Sequence, residues 1–144
     1  MMIAEKICLI ACGLFFLAGL LTGAWKYAAT RRGPDFRASR YISISHRTAL
    51  MYSFACLVLL ELTRRSPLPD MIESVIVTAL IVFFALAQGS YILHGLMRDT
   101  ENQLARPHRF GSRHWPSWMI SLFMLVLITV ELTGFLILFI AALV

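Results

Sequence analysis

Histidine side chains set among long apolar segments are the residues of this chain that could best support metal or proton chemistry. The four are His46, His94, His108 and His114. A neutral imidazole can ligate a metal or a haem iron, and it can also transfer protons. His46 and His94 lie within apolar segments, so they are the candidate cofactor ligands. An interfacial histidine that binds only water is the competing interpretation for His94, and the simpler one for the two histidines that lie among arginines.

A stripe of aromatic and polar residues lies in the third apolar segment. Phe84, Gln88, Tyr91 and Gly95 follow at steps of four, three and four residues, which places them on one face of a helix. A buried tyrosine hydroxyl and a buried glutamine amide both need partners, and Tyr52 lies at comparable depth in the second segment. Tyr91 and Tyr52 are therefore the candidate catalytic residues, and Gln88 is a candidate cofactor contact. The alternative is a hydrogen-bond network between helices that holds no ligand.

Glu131 lies apart from these residues, near the centre of the fourth apolar segment. An unpaired carboxylate is costly inside a bilayer, so we expect Glu131 to be protonated or paired. Proton relay, ligand contact and contact between subunits all remain possible roles. The first three segments have no second mid-membrane charge, which argues against a transporter or channel built around Glu131.

The elements that must position these residues are four long apolar segments. Of the 144 residues, 59% are hydrophobic and 15% charged, and the mean hydropathy is +0.76. A membrane-spanning helix needs about 20 apolar residues, so four spans with short loops use nearly the whole chain. The composition excludes a water-soluble globule and a disordered chain. We predict a single all-α integral membrane domain over residues 1–144, a four-helix bundle with spans near 3–27, 43–63, 71–99 and 117–144.

Basic residues are distributed unequally between the two ends of the predicted bundle. The two loops near residues 26–42 and 98–116, with their flanking turns, hold Lys26, Arg31, Arg32, Arg37, Arg40, Arg47, Arg98, Arg106, Arg109 and Arg113. The opposite end holds only Lys6, Arg64 and Arg65. Because basic residues collect on the cytoplasmic side of membrane proteins, we predict that both termini face outward, in a bacterial-type inner membrane. The basic loops thus report topology and do not predict a nucleic-acid partner.

Local signals mark the predicted helix ends. Gly33–Pro34 should break the first helix. Ser43 or Ser45 could cap the second helix at its N-terminus, and Asp70 could cap the third.

Three local features carry a resemblance to a known family. The first is GLLTG at Gly19–Gly23, which closes the first span. The second is HRTALMYS at His46–Ser53, similar to a histidine followed shortly by Leu-Met-Asn-Gly. The third is Gly89–Tyr91, similar to a Gly-x-Tyr pattern in the third span. In these features, their order and the span count, the chain resembles the small four-helix membrane isomerases typified by styrene oxide isomerase and hydroxylaminobenzene mutase.

The resemblance implies a trimer that holds haem b between neighbouring subunits. A histidine of the second helix would ligate the iron, whose open face acts as a Lewis acid in epoxide-to-aldehyde isomerisation or hydroxylamine rearrangement. Carried onto this chain, it makes His46 the axial metal ligand and Tyr91 the substrate-orienting hydroxyl. At two family positions this chain differs: Tyr52 replaces an asparagine and Phe83 a carboxylate.

A non-enzymatic role is the main alternative. In it, the chain is a membrane subunit, either a haem anchor or an assembly partner, in which His46 and His94 both bind the iron. For the isomerase we expect a small apolar or aromatic substrate, and for either role a lipid environment and a homo-oligomer.

Overall fold

Four long helices account for most of the chain in the computed structural model, which describes residues 1–33 and 36–144. They are α1 (Ile3–Arg32), α2 (Arg40–Arg65), α3 (Asp70–Met97) and α4 (Ser117–Ala141). Each is long and apolar enough to cross a membrane. The prediction of an all-helical bundle with four helices capable of spanning a membrane is therefore confirmed. An antiparallel hairpin of β1 (His108–Phe110) and β2 (Arg113–Trp115) interrupts the loop between α3 and α4, where we predicted only polar loop.

The helices pack around a core near the end of the bundle where α1 begins. Its fully or nearly buried residues are Ala4, Cys8, Leu59, Leu60, Val77, Leu80 and Leu138. Gly134 lets α4 approach α3 closely, because an added Cβ would lie 3.2 Å from a methyl group of Leu80. Even so, α4 is the least covered of the four helices, since only 11% of the 18-residue apolar stretch that could cross a membrane is buried. One chain therefore leaves most of α4 to lipid or to other protein.

Glycines bring α1 and α2 into close contact. A Cβ added at Gly19 would lie 2.5 Å from Leu50, and one added at Gly23 would lie 2.9 Å from the ring of His46. Small residues four positions apart commonly allow such an approach between membrane helices. The GLLTG segment is thus the surface on which α2 rests.

The helix ends agree in part with the predicted signals. α1 ends at Arg32 with Gly33 as its C-cap residue, as the predicted break required; Pro34 lies outside the described residues. α2 begins at Arg40, so the prediction of a cap at Ser43 or Ser45 is wrong. Both serines lie inside the helix, where the Ser45 hydroxyl donates to the carbonyl oxygen of Ile42 at 3.0 Å.

Asp70 caps a helix other than the one we predicted. It is the first residue of α3, but its carboxylate accepts hydrogen bonds from the backbone N–H groups of Ile3 and Ala4, both at 3.0 Å. The first turn of any helix has free N–H groups, and α1 has no side-chain cap of its own. Because α1 and α3 begin at the same end of the bundle, Asp70 ties the two together.

Loss of this cap should destabilise the bundle. We expect Asp70→Ala to lower the unfolding temperature, because two first-turn N–H groups of α1 lose their acceptor. Thermal unfolding of the detergent-purified protein measures the effect. Asp70→Asn keeps an acceptor oxygen and should lose less. An Asp70→Ala protein as stable as the original would show that the contact to α1 contributes nothing.

The basic asymmetry predicts which loops face the cytoplasm, and the structure indicates where to test it. Ala105 is exposed in the 98–116 loop and Pro67 is exposed between α2 and α3. In a protein whose native Cys8, Cys12 and Cys56 are replaced by alanine, Ala105→Cys should react with an impermeant maleimide only after the inner face is opened. Pro67→Cys should react from outside. The reverse pattern would overturn the orientation while leaving the four spans intact.

Candidate functional site

His46 is seated against α1. Its Nδ1 atom lies 2.9 Å from the carbonyl oxygen of Gly19, and its ring occupies space that a side chain at position 23 would need. A carbonyl oxygen only accepts, so Nδ1 must carry the hydrogen. Nε2 of the neutral ring therefore keeps its lone pair. Metal-ligating histidines commonly show this arrangement, in which one ring nitrogen donates to a protein oxygen and the other binds the metal.

The free nitrogen of His46 is not sealed inside the bundle. Within residues 1–33 and 36–144, the fully buried polar side-chain atoms without a hydrogen-bond partner belong to Ser39, Glu73 and Gln88. Nε2 of His46 makes no hydrogen bond with any described residue and is not in this fully buried set, so it keeps some exposure at the surface of the single chain.

The predicted stripe on α3 faces α2. Its four contacts with that helix are Phe84 on Tyr52, Gln88 on Ser45, Tyr91 on Tyr41 and Gly95 against Ile42. The rings of Phe84 and Tyr52 stack with centroids 4.5 Å apart. The Gln88 amide donates from Nε2 to the carbonyl oxygen of Ser45 at 3.0 Å, while its buried Oε1 has no partner among the described residues. Packing between helices thus occupies much of this stripe.

Tyr41 joins Tyr91 to His94, and sequence reasoning missed it. Its buried ring stacks on Tyr91 at 6.2 Å between centroids and lies 5.1 Å from the ring of His94. Its hydroxyl accepts the backbone N–H of Gln103 at 2.5 Å. Tyr41 stands four residues before Ser45, and that helical spacing could have placed it on the α3-facing side of α2.

The candidate residues lie along the contacts of α2 with α1 and α3. His46 bonds to α1, and Tyr52 packs between Phe15 of α1 and Phe84 of α3. Gln88, Tyr91 and His94 of α3 contact α2. Within the described residues, no hydrogen bond or ring contact joins His46 directly to Tyr91 or His94.

His94 forms a buried pair with Asp99. Its Nδ1 lies 2.7 Å from Oδ1 of Asp99, and the two side chains are only 5% and 6% exposed. The other oxygen of Asp99 accepts the Gly111 N–H at 2.5 Å. Burial alone would raise the pKa of the Asp99 carboxyl, but hydrogen bonds from His94 and Gly111 outweigh it and hold that pKa below its usual value.

A backbone turn makes this pair possible. Arg98 ends α3 in the left-handed conformation, with φ of 51°, which is uncommon for a residue other than glycine. The chain reverses there, so Asp99 reaches back to His94, five residues earlier. The turn at Arg98 therefore gives the following residue, Asp99, a structural role.

Glu131 lines a groove between α2, α3 and α4. The groove has a volume of about 310 Å³, and its walls include Met51, Phe54, Phe84 and Phe135. The half-buried carboxyl has no ion pair or hydrogen bond with any described residue. The nearby threonine hydroxyls donate to carbonyl oxygens of their own helix. One chain therefore supplies no partner, and protonation or pairing outside the chain stays a prediction.

Glu73 is a second acidic residue that sequence reasoning missed as a buried group. It is 0% exposed, and neither carboxyl oxygen has a hydrogen-bond partner among the described residues. Extending the α3 stripe back from Phe84 by the same steps gives Leu80, Val77 and Glu73, so the helical period could have found it. Leaving a buried polar group without a partner is costly.

Comparison with known proteins adds no assignment. No known protein family, curated protein or solved structure significantly matches the chain. Within the described residues, no group of three or more His, Cys, Asp and Glu side chains is arranged to hold a metal ion.

Neutralising Glu131 should leave the fold intact. We expect Glu131→Gln to change the free energy of unfolding by less than about 0.5 kcal/mol, because Gln keeps the shape and the hydrogen-bonding capacity at a site without a partner in the chain. Thermal unfolding and size-exclusion chromatography in detergent measure folding and assembly. If Glu131→Gln fails to assemble while Glu131→Leu assembles normally, this account of the residue is wrong.

Proposed function

We propose that this chain is a membrane-embedded isomerase that binds haem b through His46 and acts on a small apolar or aromatic substrate. The observation that carries the proposal is the contact between Nδ1 of His46 and the carbonyl oxygen of Gly19. It ties the helix 1 motif to the helix 2 histidine, two features that resemble the same isomerase family. It also favours the tautomer in which Nε2 can bind iron.

The residues of the seat fit an axial ligand. Gly23 leaves room for the imidazole, and the Gly19 carbonyl fixes the ring's orientation while increasing the basicity of Nε2. The Thr22 hydroxyl donates to the same carbonyl oxygen at 3.1 Å and to that of Ala18 at 2.7 Å. The Thr22 hydroxyl thus contacts the same carbonyl oxygen that orients His46. When bound, haem iron would supply a Lewis acid that polarises a substrate oxygen without a protein acid.

Tyr91 and Tyr52 would orient and enclose the substrate. Neither hydroxyl has a hydrogen-bond partner among the described residues. Each keeps some exposure, so both remain free for a ligand. The resemblance implies haem between neighbouring subunits, so the proposed site forms between copies of this chain. The largely uncovered surface of α4 is consistent with an oligomer.

The haem-anchor alternative needs His46 and His94 on one iron. His94 is held by Asp99 and packs on Tyr41, whereas His46 rests on α1. Each Nδ1 is therefore already held by a protein oxygen, and each ring keeps Nε2 for a ligand. An added ligand distinguishes the two: an open iron site binds azide, and a doubly ligated low-spin haem does not.

The decisive measurement is the visible spectrum of the protein purified from cells supplied with haem. We expect a Soret band that shifts when azide is added. His46→Ala should lose the band, whereas His94→Gln and the matched control His114→Ala should keep it. His114 is exposed on β2, so its loss tests nonspecific haem binding. A spectrum unchanged in His46→Ala would refute the assignment of the ligand.

Turnover tests the rest of the proposal. With styrene oxide as the probe, Tyr91→Phe should keep the Soret band but lower the rate of aldehyde formation roughly tenfold, since one hydrogen bond of about 1.4 kcal/mol is removed from the transition state. Haem binding without any turnover of epoxide or arylhydroxylamine would favour the non-enzymatic role.

A further inference from the structure

A cavity of about 350 Å³ lies between α3, the hairpin and the start of α4. Its walls are mainly apolar and include the rings of Phe110, Trp115 and Phe123, while His94 and His108 also line it. Small-molecule sites are typically pockets of roughly 300–1,000 Å³ with apolar walls and a few fixed polar groups. This cavity has that composition, and its lining does not include His46.

Both histidines present the same ring nitrogen for binding. Asp99 accepts the Nδ1–H of His94, and the carbonyl oxygen of Gln103 accepts that of His108 at 3.2 Å. The two residues are only 4% and 7% exposed. Neither Nε2 has a hydrogen-bond partner among the described residues, and each keeps some exposure. Each ring thus has one nitrogen left as an acceptor, and both rings line the cavity.

We infer that this cavity binds a small aromatic molecule with an acidic hydroxyl group, of the phenol or hydroquinone class. The hydroxyl donates to Nε2 of His94, and the aromatic walls take the ring. Asp99 stabilises the positive charge that develops on the imidazole as the proton is shared, and Arg109, which also lines the cavity, stabilises the negative charge on the oxygen. His108 is the weaker acceptor, because only a neutral carbonyl stands behind it.

Absorbance titration with 4-nitrophenol tests this inference on the full-length protein in detergent, with empty micelles as the blank. The probe should bind, and its ionised band should grow as the hydroxyl proton moves to Nε2. The matched ligand 4-nitroanisole has the same ring but no O–H group, so it should bind at least tenfold more weakly. Equal binding of the two probes would mean partition into an apolar space and would overturn the inference.

Variants locate the binding group. His94→Gln should weaken binding of 4-nitrophenol roughly tenfold to a hundredfold, the usual effect of losing a hydrogen bond to a charged group. His114→Gln, at an exposed position of the same hairpin that does not line the cavity, should leave the affinity unchanged. Unaltered binding in His94→Gln would refute the assignment.

The variant Asp99→Asn separates a role of Asp99 in ligand binding from a purely structural role. Its amide nitrogen would donate to Nδ1 of His94 and drive the ring to the tautomer with hydrogen on Nε2, while its oxygen still accepts the Gly111 N–H. Binding of 4-nitrophenol should fall, and the weak binding of 4-nitroanisole should not change. Loss of both would indicate a collapsed cavity and count against the inference.

A metal ion is the competing occupant, since two imidazoles could share one. Calorimetric titration with Zn²⁺ in the absence of any phenol addresses it. Stoichiometric binding that is lost in both His94→Gln and His108→Gln, with no binding of 4-nitrophenol to the original protein, would replace the aromatic ligand by a metal. The expected result is no stoichiometric Zn²⁺ site.

Discussion

The close approach of α1 and α2 is the constraint on which the rest of the bundle depends. Two glycines remove the side chains that would hold the helices apart, and the carbonyl oxygen of the first of them then comes within 2.9 Å of the imidazole of His46. A membrane interior offers no water to satisfy such a ring, so its N–H must find a partner in protein. The contact that brings α1 and α2 together therefore also sets the orientation of the His46 ring.

The imidazoles of His46 and His94 each bond through Nδ1 to a protein oxygen, but the two oxygens differ in charge. A backbone carbonyl holds His46, whereas a carboxylate holds His94. The neutral partner sets a tautomer with little effect on charge, while the carboxylate also stabilises the protonated ring. The first environment suits a metal ligand and the second suits a proton acceptor. One small bundle can therefore place two imidazoles with distinct chemistry at neighbouring depths.

Periodicity and charge predicted the helices and their faces, but not the contacts made across long sequence separations. The stripe from Phe84 to Gly95 was predictable because a helix repeats regularly, and it faces α2 as the pattern requires. The cap of α1 by Asp70 was not predictable, since 66 residues separate Asp70 from Ala4. The pairing of His94 with Asp99 was hidden for another reason. It needs a left-handed turn at Arg98, and no glycine or asparagine marks that turn in the sequence.

Loops between membrane helices usually tolerate changes of length, because they pack loosely and carry few fixed contacts. The loop after α3 is an exception between residues 99 and 111. The carboxylate of Asp99 accepts hydrogen bonds from the side chain of His94 and the backbone of Gly111. Gln103 also bonds to Tyr41 and Ser90. Chain length between residues 99 and 111 is thereby fixed by geometry. An insertion or deletion there would shift the hairpin and take the Gly111 N–H away from Asp99, so this segment should evolve by substitution and not by change of length.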